Sequence, residues 1–210
     1  MYELGDEVSP DRIVAGSNVL VVGPAMSGKR ELAYDILGHG ADTGAGTIVV
    51  SNQDSAERIL QMYGPRIDRD DGTLGIIDCV TKHQGQGTIS DSDRIRYASS
   101  PADMTGIGIK FTELIEEFYA ERGIERNVVL FDSVTTLLMY SDLETVFRFL
   151  HVFTSRVGNA DAMGLFLLQE DAHDERVMGT LNQLFDGVIR TNADEPPDVQ
   201  VPTVEPPADT

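Results

Sequence analysis

Positive charge is scarce in this 210-residue chain: 16 Lys plus Arg stand against 35 Asp plus Glu, for a net charge of −19. Lysine occurs only as Lys29, Lys82 and Lys110. No basic stripe is present, which argues against a nucleic-acid partner, because extended phosphate contact needs one. Cys79 is the single cysteine, so an intramolecular disulfide is excluded, as suits a reducing cytosol. No apolar run approaches the length of a membrane span, and residues 1–15 do not form a signal peptide. The expected location is therefore cytoplasmic, with no membrane partner. Acidity combined with so few lysines points to a salt-loving source, the alternative being an acidic protein of a mesophile. High salt screens the carboxylate repulsion, and hydrated carboxylates keep the surface soluble.

The length suits one domain with a sizeable core. Residues 1–16 read as a polar, turn-rich leader. "NVLVVG" (18–23), "TIVVS" (47–51), "NVVLFD" (127–132) and "MGLFLLQ" (163–169) are short runs, apolar almost throughout, that read as buried parallel strands. "LGIIDCV" (74–80), "RIRYAS" (94–99) and "GVIRT" (187–191) complete the expected set. Helices are expected over 28–37, 56–63, 103–122, 143–157 and 177–184, with Gly64-Pro65 closing the second. Alternating strands and helices imply an α/β fold, a mainly parallel sheet covered on both faces. From Asn192 onward the chain holds five of its nine prolines and no basic residue, and a disordered tail is expected over 192–210.

"GPAMSGKR" (23–30) lies between the first such strand and a helix. A phosphate-cradling loop needs glycines so that backbone N–H groups can curl around an anion, and a lysine to reach the outer phosphates. Gly23, Gly28 and Lys29 have the spacing G-x-x-x-x-G-K, with Pro24, Ala25, Met26 and Ser27 forming the loop between. The eighth position is Arg30, where such loops carry a Ser or Thr hydroxyl for the metal. A second element is Asp132, a carboxylate at the end of a buried strand about 100 residues downstream, placed to hold Mg²⁺. The expected occupant is a phosphate group. Ser27 lacks the flanking glycines of a nucleophile elbow, and His39, His83, His151 and His173 have no ligand spacing. "FTELIEEFY" reads as a core stripe, whereas "DLETVFRFLHVF" is apolar around enough of its circumference to be buried or an interface.

These pieces resemble the KaiC-like branch of the RecA superfamily, and more closely a haloarchaeal KaiC-like group called HTR-like. The resemblance is carried by "VVGPAMSGKRELAYDIL", "TIVVSNQDSAERIL", "SPADMTGIGIKFTELIEEFY", "VVLFDSVTTLLMYSDLETVFRFLHVFTSR" and "LNQLFDGVIR", across residues 17–191. It implies a RecA-like P-loop αβα sandwich, ATP binding, often ring assembly with ATP between subunits, and roles in signalling. It also implies that Gln169, ending its strand, either senses the terminal phosphate or is an ordinary strand end. Three departures stand out. Arg30 replaces the metal-binding hydroxyl. Gln53 and Asp54 stand where relatives carry a Glu pair that activates water; Gln53 can orient a water but cannot take its proton, and Asp54 is a shorter substitute. Past "DGVI", relatives continue into a strand with basic residues for the neighbouring subunit's phosphates, whereas this chain enters its acidic tail. Together these imply nucleotide binding with slow or absent hydrolysis, in a regulatory or scaffold protein that meets a protein partner or its own copies. The alternatives are an active ATPase or kinase using Asp54 and Asp132, and an interaction module whose phosphate site is plugged by Arg30.

Overall fold

The computed structural model describes residues 1–5, 8, 12–68, 72–85, 90–193 and 195–202. A two-stranded hairpin, β1 (Tyr2–Glu3) with β2 (Arg12–Ile13), is followed by β3 (Asn18–Gly23), α1 (Lys29–Asp42), β4 (Gly46–Ser51), α2 (Ala56–Ile67), β5 (Leu74–Asp78) and β6 (Ile95–Tyr97). Then come α3 (Met104–Ala120), β7 (Asn127–Asp132), α4 (Val134–Tyr140), α5 (Leu143–Asn159), β8 (Met163–Gln169), α6 (Glu175–Leu181), β9 (Gly187–Asn192) and β10 (Glu195–Gln200). The main sheet has the order β10-β9-β3-β8-β7-β4-β5-β6 and is parallel except for β10.

Strand alternation divides the core in two. Val19 and Val21 point with α1, α2 and the hairpin into one layer; Leu20 and Val22 point with α3, α4, α5 and α6 into the other. Both faces are covered, so the central strands can be apolar at every position, as the α/β reading requires. In α3, Phe111, Leu114 and Phe118 are fully buried, which makes "FTELIEEFY" core. α5 buries Val146, Leu150, Phe153 and Val157 but leaves Val152 half exposed, so it is a one-faced helix rather than a fully buried one.

Several expected boundaries move. α2 runs through Gly64-Pro65 to Ile67, because Tyr63 and Ile67 extend the buried face begun by Ile59. That burial outweighs the hydrogen bond Pro65 cannot donate. α1 continues past Leu37 to Asp42, with Gly38, Gly40 and Ala41 buried. The leader is not merely polar connection, since Tyr2, Leu4, Val8 and Ile13 are all buried against the α1 layer.

The largest correction concerns the tail. Residues 195–200, expected to be disordered, form β10 antiparallel to β9. Val199 and Val201 pack on the core, and the register shifts between Glu195 and Asp198, where Pro196 and Pro197 lie. An edge strand tolerates prolines at such a shift. A strand thus does follow "DGVI", but Glu195, Asp198 and Gln200 give it no positive charge. Residues 194 and 203–210 of the expected tail lie outside the described residues. So do 86–89 of the expected polar loop and 6, 7 and 9–11 of the leader.

Candidate functional site

Four neighbouring strands end at one place. Gly23 of β3 is in register with Gln169 of β8, and Ser51 of β4 with Asp132 of β7. The turns that leave β3, β4, β7 and β8 therefore converge over a single edge of the sheet, the position where open α/β sheets bind ligands.

The β3 turn is fixed by close packing. A Cβ on Gly23 would lie 2.4 Å from Thr191 Oγ1 and 2.5 Å from Ser27 Oγ. Those two hydroxyls are themselves 2.7 Å apart, which ties the loop to β9. At the other end of the loop Gly28 has φ 79°, a left-handed conformation that glycine adopts without steric cost, and α1 begins at Lys29. Ser55, Asp103, Ser133, Asp142 and Asp174 cap the other α-helices through their side chains. α1 alone among the described α-helices has no side-chain cap. Its first-turn amides, with the positive end of the helix dipole, are left for an anion.

A cleft of about 260 Å³ opens there, lined by Ala25, Met26, Ser27, Gly28, Lys29, Arg30, Glu31, Gln53, Asp132, Ser133, Thr135 and Gln169, with Leu167 and Leu168 behind. Most of the residues singled out in the sequence meet in it. Gly23 and Pro24 stand outside its lining, and so does Asp54. Met26 is 94% exposed at the loop's tip. Lys29 Nζ donates to the Pro24 carbonyl at 2.7 Å. Burial lowers the Lys29 pKa, and the charges of Asp171, Glu31 and Asp132 offset part of that.

Arg30 does not point along the loop. Its Nε donates to Asp132 Oδ2 at 2.7 Å and its Nη2 to Asp54 Oδ2 at 2.6 Å. Asp54 Oδ1 in turn accepts from Arg58 Nε at 2.9 Å, one helical turn along α2. Both oxygens of Asp54 are thus held in ion pairs. Asp132 is 1% exposed; burial pushes its pKa up, and the charge and hydrogen bond of Arg30 pull it part of the way back. Burial alone would lower the pKa of Arg30, but Asp132 and Asp54 together hold it above its ordinary value, so the guanidinium stays charged. Gln53 Nε2 donates to Ser133 Oγ at 2.6 Å. Asn52 and Ser133 exchange hydrogen bonds of 2.6 and 3.0 Å, locking the β4 turn to the β7 turn. The Gln169 N–H donates to Thr135 Oγ1 at 2.8 Å, fixing the β8 end over α4.

Two aromatic residues complete the site. Tyr34 and Tyr63 stack with ring centroids 3.7 Å apart and planes 1° from parallel. The Arg30 guanidinium carbon lies 5.8 and 5.5 Å from their centroids, and Tyr34 Oη donates to Asp132 Oδ2 at 3.4 Å. Tyr34 follows Arg30 by four residues on α1, and that spacing is the signal in the sequence that places it beside the guanidinium.

The residues present do not fit Mg²⁺. The side chain at position 30 offers no oxygen, Asp132 Oδ2 and both Asp54 oxygens are occupied by guanidinium nitrogens, and of these carboxylate oxygens Asp132 Oδ1 alone lacks a partner. No group of three or more acidic, His or Cys side chains that could hold a metal occurs among the described residues. Nor is any described helix long and apolar enough to cross a membrane.

Residues 16–191 match a protein family described as "Family of unknown function (DUF7504)". No curated protein matches the chain. Among solved structures, it is similar to an uncharacterized protein from Pyrococcus horikoshii in complex with an unknown peptide, at 16% identity and TM-score 0.67, covering 87% of this chain and 80% of that one. A KaiC-like protein from Pyrococcus horikoshii OT3 is similar at 14% identity and TM-score 0.59, with 90% and 77% covered. The flagellar accessory protein FlaH from Methanocaldococcus jannaschii is similar at 13% identity and TM-score 0.50, with 86% and 73% covered. At these identities the likeness is one of fold: a RecA-like sandwich of the KaiC and FlaH kind.

Proposed function

The chain belongs to this family of unknown function, DUF7504, and from the geometry of its cleft we propose that it binds ATP or ADP and hydrolyses it slowly or not at all. The observation that carries this reading is the pairing of an open phosphate loop with a closed metal position. Gly28, Lys29 and the uncapped first turn of α1 face the cleft, whereas Arg30 is committed to Asp132 and Asp54. The loop amides and Lys29 would hold the phosphates, with Gln53, Thr135 and Gln169 on the opposite wall. Lys29 would exchange the Pro24 carbonyl for a phosphate oxygen, which a charged acceptor favours.

Hydrolysis needs charge neutralisation and an oriented water. Gln53 offers orientation without a base, and Asp54 is neutralised by Arg30 and Arg58. The plugged interaction module is less well supported, because two of the Arg30 head nitrogens are spent on Asp132 and Asp54 rather than on the loop. The protein's use would be regulatory or as a scaffold, with a protein partner or its own copies. The peptide bound to its Pyrococcus horikoshii structural neighbour is compatible with such a role. The closer HTR-like kinship, the halophilic source and a cytoplasmic setting belong to the same proposal and rest on the composition and motifs.

Calorimetric titration of the full chain with ADP and ATP in molar KCl tests the binding, and phosphate release tests the turnover. Saturable binding with turnover far below the roughly 1 s⁻¹ low end of typical enzymes is expected. Absence of binding to either nucleotide would end the reading, and turnover at that rate would favour the active ATPase.

A further inference from the structure

Arg30 sits where a P-loop protein places the hydroxyl that, together with the strand-end carboxylate, holds Mg²⁺. Its head is fixed from several directions: Asp132 at 2.7 Å, Asp54 at 2.6 Å, and the stacked Tyr34–Tyr63 pair beside it. A stacked, doubly paired guanidinium is a built position rather than a wandering side chain. Two of its three nitrogens are spent on carboxylates. The third, Nη1, is spent on neither carboxylate, and Arg30 lines the cleft.

The local charges also balance without a metal. Arg30 and Arg58 offset Asp54 and Asp132. A divalent cation would have to displace Arg30 from a buried carboxylate or sit beside its fixed charge, and Mg²⁺ demands a near-octahedral oxygen shell that it surrenders reluctantly.

We infer that Arg30 is a protein-borne substitute for the divalent cation, so that the cleft takes the phosphate chain of a metal-free nucleoside di- or triphosphate and Mg²⁺ opposes binding. The inference rests on the nucleotide-binding reading. Metal-free phosphates present their full charge to Lys29, to Arg30 Nη1 and to the α1 amides. Chelation by Mg²⁺ neutralises that charge and adds a cation where one already stands. Mg²⁺ and nucleotide are then negatively coupled at this site, reciprocally.

The test is calorimetry of the full chain with ADP at matched ionic strength, once in EDTA and once in excess Mg²⁺. Affinity is expected to fall by about fivefold or more in Mg²⁺, the low end of couplings between two ligands. Arg30→Thr should reverse the sign, making Mg²⁺ strengthen binding. Because that variant exposes a buried carboxylate and its folding is at risk, a second measurement stands on the unaltered protein: Mn²⁺ added to the protein–ADP mixture, followed by its free-ion paramagnetic resonance signal. Protein should leave that signal no lower than ADP alone does. Tighter ADP binding in Mg²⁺, or protein-dependent loss of the Mn²⁺ signal, overturns the inference and leaves the nucleotide site standing. No ADP binding in either buffer overturns the parent reading and this inference with it.

Discussion

Replacing Arg30 with Met removes one partner of a buried ion pair and keeps most of the side-chain volume. The carboxylate left behind, Asp132, is 1% exposed and retains only the long 3.4 Å hydrogen bond from Tyr34 on Oδ2. Breaking a buried pair from one side costs about 3–5 kcal/mol. The Arg30 side chain is 23% exposed and Asp54 keeps Arg58, so the low end, about 3 kcal/mol, is the expected loss. For a domain of this size that corresponds to a melting temperature roughly 6–12 °C lower. Molar KCl should not mask it, since salt screens buried pairs far less than exposed ones. The dependence on pH has a definite sign. Without Arg30 the folded-state pKa of Asp132 rises further above its unfolded value, so the folded variant binds the proton more tightly. Its stability then falls as pH rises between those two pKa values and is flat above the higher one. The gap between Arg30→Met and the parent should therefore narrow as pH is lowered from about 8 to about 5. Adding Asp132→Asn should recover most of the loss. Circular-dichroism melts across this pH range read all three effects. A loss under about 1 kcal/mol, the level of a surface ion pair, or a gap that does not narrow, would refute the buried-pair account.

Lys29→Ala should weaken ATP binding by about 2 kcal/mol, the scale of a charge-assisted hydrogen bond; equal calorimetric affinities would remove Lys29 from the site. The melting temperature should climb substantially from low to molar KCl as the −19 net charge is screened, and a flat curve would detach the acidity from salt adaptation. Arg30→Thr with Gln53→Glu should raise phosphate release in Mg²⁺ above either single change, since metal and base act on one transition state. Absent gains would show that these two positions do not limit turnover, and strictly additive ones that they act on it independently.

Short runs, apolar almost throughout, declared themselves: the bounds of the strands 18–23, 127–132 and 163–169 coincide with the expected ones. The turn between β3 and α1 was legible too, because its glycines answer to local backbone demands at Gly23 and Gly28. Three features were not legible for reasons of range. α4 follows β7 after one residue, with Thr135 and Thr136 weakening its helical pattern and Ser133 capping it from the strand's end. β10 is written in prolines and acids, and only its partner β9 gives Val199 a core to join. The stacked Tyr34 and Tyr63 lie on different helices, and nothing local announces that their rings meet.

The same limit hid how the departures from the KaiC-like pattern are connected. In sequence, Arg30, Asp54 and Asp132 look like three separate facts: a missing hydroxyl, a shortened base and an intact carboxylate. In space one guanidinium joins them. It bonds one oxygen of Asp132 and one of Asp54, so the two carboxylates share a single cation. Under the proposed reading, a single residue at position 30 would account for both the closed metal position and the neutralised base, whereas the loop at 23–28 is tied to β9 through Ser27 and Thr191. Selection against hydrolysis alone could have removed any of these residues and left the others to drift. A guanidinium paired on both sides and flanked by stacked tyrosines is instead an integrated core element. Its stability contribution and its effect on Mg²⁺ should stand or fall together in Arg30 variants.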